Sequence, residues 1–190
     1  MKLAIFDFDG TLFASPMKPD WWPWQGFWGR PESLSPPYVP ERPGPDWWAQ
    51  AVVGAAKRAK SDSETYTVMV TGRPGKLEKR IKELLHGHGL HFDEYHFAGS
   101  GGTLAGKFTV LERLVTQLPE LELVEMWEDR PEHVAPFEAH LTQLGVEFVV
   151  HKVQRVVNEF ENPPTTALKV AARWQKRLAD IIGDPVSLIQ

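Results

Sequence analysis

Asp7 and Asp9 stand one residue apart at the end of the run Lys2–Thr11, KLAIFDFDGT. Leu3–Phe6 reads as a short buried strand, and Gly10-Thr11 reads as the turn that follows it. A strand that ends in a glycine turn is where open α/β sheets place ligand chemistry. Two carboxylates at that point can divide the work, one attacking and the other handling a proton. Two later strands also end in polar residues, Thr71-Gly72-Arg73 and Glu128-Asp129-Arg130. Lys107 follows Gly106 at the predicted start of a helix and can reach the same edge. An anionic nucleophile approaches a phosphate only if the phosphate's charge is neutralised. A lysine, backbone amides and a magnesium ion would do this. Magnesium prefers a few carboxylate oxygens and several waters, and Asp7, the Asp9 main-chain carbonyl and Asp129 suit it.

The elements that must position these groups alternate between strand and helix. A helix is expected over Asp46–Lys60, with Asp46 as N-cap. Thr65–Thr71 reads as a strand. Pro74 opens a helix carrying Leu77, Ile81, Leu84 and Leu85. Further strands are expected over Phe92–Phe97, Leu121–Trp127 and Val146–Val150. Amphipathic helices are expected over Lys107–Leu118, from Pro131 to Leu144, and over Thr165–Ile182. This order implies βαβ crossovers and a mainly parallel sheet. Thr11 and Thr65 lie far apart for a βα connection. The excess is Phe13–Trp48, which holds six of the eight tryptophans and nine of the sixteen prolines. It reads as an insertion over the active-site face, within one domain of 1–190.

Bulk properties narrow the class. The 190 residues suffice for one domain with an insertion, and 42% hydrophobic residues support a core. A net charge of −4 advertises no broad nucleic-acid footprint. Lys169, Arg173, Lys176 and Arg177 form one basic run, read as a solvated helix face. With no cysteine, disulfides and thiol catalysis are excluded. The apolar run after Met1 and Lys2 is too short for a signal peptide, and no stretch suits a membrane span. A cytoplasmic protein is expected. His86, His88 and His91 in HGHGLH read as a solvated loop rather than a metal site.

The four motifs, DFDGT, VTGR, Lys107 and WEDRP, resemble in order those of the haloacid dehalogenase (HAD) superfamily. That resemblance implies a three-layer Rossmannoid fold with a cap-like insertion after strand 1. It implies Asp7 as nucleophile, Asp9 as general acid and base, and Thr71 with the Gly72 amide as phosphate ligands. Lys107 would orient nucleophile and phosphate. Asp129 would hold magnesium alongside Asp7 and Asp9, with Glu128 as helper. DFDGTLFASP, the pairs Trp21-Trp22 and Trp47-Trp48, and WEDRPEH are also similar to the "Swiss Army Knife" RNA-repair-like group. VTGR and the acidic–Asp–Arg of WEDR are similar to the phosphatase domain of polynucleotide kinase–phosphatases. These likenesses imply phosphate removal from a nucleic-acid end, RNA or DNA, with any ligase or kinase step left to a separate partner. Arg73 and Arg130 would then contact substrate phosphate, and Trp21 and Trp22 would stack on bases. The tryptophans also read as the insertion's own small core. A phosphatase of a small metabolite or mononucleotide and a non-catalytic module that binds phosphorylated ends are the competing readings.

Overall fold

The computed structural model describes residues 1–19, 22, 26–97 and 103–156. The expected helix at 165–182, its basic run and Trp21 lie outside them. Five strands, β1 (Lys2–Asp7), β2 (Thr65–Thr71), β3 (Glu94–Phe97), β4 (Leu123–Glu128) and β5 (Glu147–Lys152), form one parallel sheet in the order β3-β2-β1-β4-β5. Four helices connect them: α1 (Gln50–Ser61), α2 (Glu78–Gly87), α3 (Thr103–Gln117) and α4 (Pro131–Leu144). Strand side chains alternate between faces, so β1 feeds two cores. Ala4 and Phe6 join Met69, Val52, Val53, Ile81, Leu84 and Leu85 on the α1/α2 side. Leu3 and Ile5 join Val68, Val70, Leu111, Leu114, Phe137 and Leu141 on the α3/α4 side. These are the three layers expected of a HAD-like α/β fold. Because β1 is central, Asp7 emerges in the middle of the edge where all five strands end, with β2 and β4 on either side.

Three helix starts differ from expectation. Pro74 leads into a 3-10 turn, Gly75–Leu77, and α2 begins only at Glu78. Asp46 caps no long helix; it sits in a 3-10 turn, Pro45–Trp47, and α1 follows Ala49 without a side-chain cap. The reason is tertiary. Trp48 pairs with Phe13 in an isolated antiparallel bridge, and the Ala49 amide donates to the Leu12 carbonyl at 3.0 Å. These contacts hold the chain extended until Gln50. Lys107 lies inside α3, which begins at Thr103, so it is one turn in rather than at the helix start.

The insertion folds as short 3-10 turns, Phe27–Gly29, Pro31–Leu34 and Pro45–Trp47. Among the described residues, its large apolar side chains divide between two clusters. Phe13, Leu34, Val39 and Trp48 sink into the α1/α2 core. Trp22, Phe27 and Tyr38 form a separate cluster with T-shaped ring contacts of 5.1–5.9 Å. Trp22 is only 7% exposed. That burial corrects its expected role as an open stacking surface, because its ring is spent on Phe27 and Tyr38. The histidines of α2's end form ring stacks: His88 lies flat on Trp48 at 4.3 Å, and His86 stacks on His91. Among the described residues no helix is long and apolar enough to cross a membrane.

Arg80 of α2 straps the insertion down. Its guanidinium donates to the carbonyls of Leu34 (2.9 Å), Pro40 (3.0 Å) and Glu41 (3.3 Å). Arg80→Ala is expected to lose about 1–3 kcal/mol in urea unfolding and to speed proteolytic cleavage within 31–44. An unchanged midpoint and cleavage rate would show the strap to be idle.

Candidate active site

The three polar strand ends converge as the topology requires. Asp7 is 4% exposed, and one of its oxygens accepts the Phe8 amide at 2.8 Å. Lys107 lies between Asp7 (2.9 Å) and Glu128 (2.7 Å), with the lysine and both carboxylates buried. Burial alone would lower the Lys107 pKa; the charges of Asp7 and Glu128 outweigh it and hold the ammonium above its usual range. Glu128 is shifted up by burial and by Asp7, against the opposing pull of Lys107.

Asp129 comes next on the same strand end. Burial, then the charges of Asp7 and Glu128, push its carboxyl up to about 6. Thr11 Oγ1 donates to its Oδ1 at 3.3 Å, and Arg155 Nε stands 3.3 Å from Oδ2. Arg155 follows β5, and the Val156 amide donates to the Gly10 carbonyl at 2.9 Å. Gly10 (φ +77°) is where these pieces meet: a Cβ there would fall onto Asp129 Oδ2 and 2.9 Å from Arg155 Cγ. Glycine is required at this position by conformation and by space alike.

Asp7, Glu128 and Asp129 each offer a carboxylate oxygen within 4.8 Å of the others. Their fit to a divalent cation is uneven. Asp129 Oδ2 is buried and accepts no hydrogen bond among the described residues. Glu128 instead has Lys107 on Oε2, the Arg130 amide on Oε1 at 3.2 Å, and His133 Nδ1 3.4 Å away. Asp7 and Asp129 are therefore the better donors, and Glu128 supports Lys107. Three raised or crowded carboxylates facing one lysine and one arginine are a donor set that a hard cation suits.

Asp9 is turned away from this cluster. Arg73 Nε donates to both its oxygens (2.9 and 3.0 Å), and a second guanidinium nitrogen lies 2.8 Å from Oδ1. Ser15 Oγ (2.5 Å) and Thr71 Oγ1 (3.3 Å) also donate to it. Burial would raise the Asp9 pKa, but the Arg73 charge and these donors hold it below the ordinary 3.8. The carboxylate is thus held as an acceptor in this arrangement. Arg73 is 1% exposed, and its other terminal nitrogen donates to Trp28 O (2.9 Å) and Ser33 Oγ (2.5 Å). Nε and Nη1 of Arg73 thus serve Asp9 and the insertion, while Nη2 pairs with Asp9 by charge and makes no hydrogen bond among the described residues. Thr71 spends its hydroxyl proton on Asp9 and receives the Arg73 amide at 3.2 Å.

A cavity of about 140 Å³ opens among Asp7, Asp9, Gly72, Arg73, Trp28 and Arg130. The Arg130 side chain makes no hydrogen bond or ion pair among the described residues and is half-buried. Ser15, Ser33 and Arg155 are site residues that sequence reasoning did not single out, whereas Trp28 is one of the insertion's tryptophans for which stacking and self-packing were both open. Ser15 alone carried a signal, since it lies six residues beyond Asp9 on the tight turn.

With this geometry in view, the comparisons with known proteins decide the family. Residues 19–168 match a family model described as HAD domain family 1 in Swiss Army Knife RNA repair proteins. The chain belongs to this family. No curated protein matches it. Among solved structures, this HAD domain is similar to the HAD domain of effector protein Lem4 from Legionella pneumophila. That likeness has a TM-score of 0.50 and 12% identity, over 100% of this chain and 97% of that one. An inactive mutant of the same Lem4 domain gives 0.50 and 12%, over 93% and 92%. A chain in the Pnkp1/Rnl/Hen1 RNA repair complex is similar at 15% identity and a TM-score of 0.49, over 80% of this chain. This chain spans 43% of the length of that one. At such identities the structural likeness speaks to the fold, which is HAD-like.

Removing Arg73 strands a buried carboxylate. Arg73→Ala is expected to cost about 3–5 kcal/mol in denaturant unfolding at pH 7. Adding Asp9→Asn should recover much of that, because a neutral amide needs no counter-ion. The pair's contribution is present above the unfolded Asp9 value and fades as pH falls below it, since the folded value is the lower. Additive losses from the two substitutions would show that the pair is not coupled.

Proposed function

We propose that this HAD domain is a phosphomonoesterase that works through an aspartyl-phosphate on Asp7 and takes phosphate from nucleic-acid ends. The observation that carries the reading is Lys107, buried between Asp7 and Glu128 with Asp129 alongside, while Asp7 itself lines a cavity of about 140 Å³. The family supports phosphatase chemistry in general and an RNA-repair setting.

An Asp7 oxygen attacks phosphorus, and the bond to the leaving oxygen breaks. Asp9 gives that oxygen a proton, a step that requires its carboxyl to be protonated and released from Arg73 when substrate is bound. In the second half Asp9 takes a proton from water, whose oxygen attacks phosphorus, and the bond to Asp7 breaks. Free phosphate leaves and both carboxylates return to their starting state. The Arg73 charge favours the second half, because it holds Asp9 ready to accept a proton. Lys107 holds one Asp7 oxygen and the Phe8 amide holds the other, which fixes the carboxylate's orientation. The Gly72 amide and Arg130 face the phosphoryl group as donors. Magnesium, held by Asp7, the Asp9 main-chain carbonyl and Asp129, would neutralise phosphate charge. On this reading the substrates are RNA or DNA 3′ ends, and a separate ligase or kinase supplies other repair steps.

Phosphate release in magnesium tests the reading, with 3′-phosphate, 2′,3′-cyclic and 5′-phosphate oligonucleotides compared with mononucleotides and sugar phosphates. Strong preference for one oligonucleotide end is expected, and Asp7→Asn should abolish turnover while keeping phosphate binding. Equal release by wild type and Asp7→Asn would overturn the mechanism. Preference for small phosphates would keep the chemistry and remove the nucleic-acid substrate.

Metal binding adds a pH test. Asp129 must be ionised to hold a cation, and its carboxyl is pushed up to about 6. Magnesium affinity measured by calorimetry should fall as pH drops through about 6, approaching tenfold per unit. An affinity flat between pH 8 and 5 would take Asp129 out of the metal site.

A further inference from the structure

The cavity at Asp7 is small. At about 140 Å³ it has room for a phosphoryl group, well short of the roughly 300–1,000 Å³ that encloses an organic ligand. The rest of any substrate must lie at its rim. Selection among phosphomonoesters therefore falls to the side chains there.

Trp28 is the one aromatic side chain among the described residues that lines this cavity. It is half-buried, unlike Trp22 and Trp48. Its place is fixed from several directions. It sits in the 3-10 turn Phe27–Gly29, behind Gly26 in the left-handed region. Its carbonyl accepts the Arg73 guanidinium at 2.9 Å, and the same guanidinium lies 5.1 Å from the centre of its indole. The Phe27 ring packs against it edge-on at 5.9 Å. Arg73 thus ties Asp9 and the Trp28 backbone into one rigid unit and puts a buried positive charge against the indole. A flat side chain held still beside the reacting group costs little entropy when a second ring lies on it.

We propose that Trp28 is the specificity-determining residue of this site and stacks on the base of the nucleoside that bears the phosphate. The inference rests on the phosphatase reading and deepens it. It moves the stacking role from the buried Trp22 to a residue that borders the cavity. Base stacking tolerates any base, because each presents a π-face. The preference is then for a nucleoside phosphate over a base-free one, with little choice among bases.

The test compares adenosine 3′-monophosphate with glycerol 2-phosphate, a base-free monoester of a secondary alcohol. The wild type should favour the nucleotide in kcat/KM by about 5- to 150-fold. Trp28→Ala should collapse that ratio toward one, and Trp28→Phe should restore part of it. Circular dichroism of each variant guards against loss of the insertion's fold, and the phenylalanine variant keeps a ring against Phe27. A preference that survives Trp28→Ala, or a wild type without one, overturns the proposal. The same ratio is read by calorimetric binding to Asp7→Asn protein and to Asp7→Asn/Trp28→Phe and Asp7→Asn/Trp28→Ala. If no phosphomonoester is turned over, the phosphatase reading fails, yet the binding ratio still decides on Trp28. Equal binding of the two probes by Asp7→Asn protein overturns it.

Discussion

Four carboxylates share one edge of a parallel sheet, and they are held by three cations that arrive on different pieces of chain. Lys107 of α3 serves Asp7 and Glu128, Arg73 after β2 serves Asp9, and Arg155 after β5 reaches Asp129. Like charges this close and this buried cannot all remain ionised without such neutralisation. The arrangement therefore needs every layer in register. α3 must pack so that Lys107 projects between β1 and β4, and the chain beyond β5 must fold back over Gly10. The apolar contacts on both faces of β1 do this positioning, and the charges report how well it was done.

Much of this was legible from residue patterns. β2 runs from Thr65 to Thr71 as its β-branched run predicts, and Pro131 opens α4. The order of strands and helices points to the parallel sheet, and the carboxylates at the ends of β1 and β4 meet because parallel strands end together. What was not legible depends on contacts between distant segments. Arg73 reads in sequence as a donor for substrate, since nothing local reveals that Asp9, Ser33 and the Trp28 carbonyl take Nε and one of its terminal nitrogens. Asp46 has the right chemistry for a cap, but the Phe13–Trp48 bridge decides where α1 starts.

The tryptophans show the same limit. Pattern alone left a stacking surface and a small core as rival uses of one aromatic-rich stretch. The structure assigns different rings to different tasks. Trp48 belongs to the main core, Trp22 to the cluster with Phe27 and Tyr38, and Trp28 to the cavity rim. A short, proline-stiffened segment with few regular hydrogen bonds needs most of its large side chains to hold its own shape. Few remain for anything outside it.

The guanidinium of Arg73 has a consequence for how such a protein can change. It joins an acceptor in the insertion, Ser33, to the buried carboxylate of Asp9. Trimming or grafting the segment from Phe13 to Trp48 would therefore alter more than access to the cavity. It would loosen the counter-ion and retitrate Asp9. A foreign loop of the right length would still need a carbonyl and a hydroxyl in these two places. Loop exchange, the usual route by which one scaffold acquires new specificities, is constrained here by the counter-ion of a buried carboxylate.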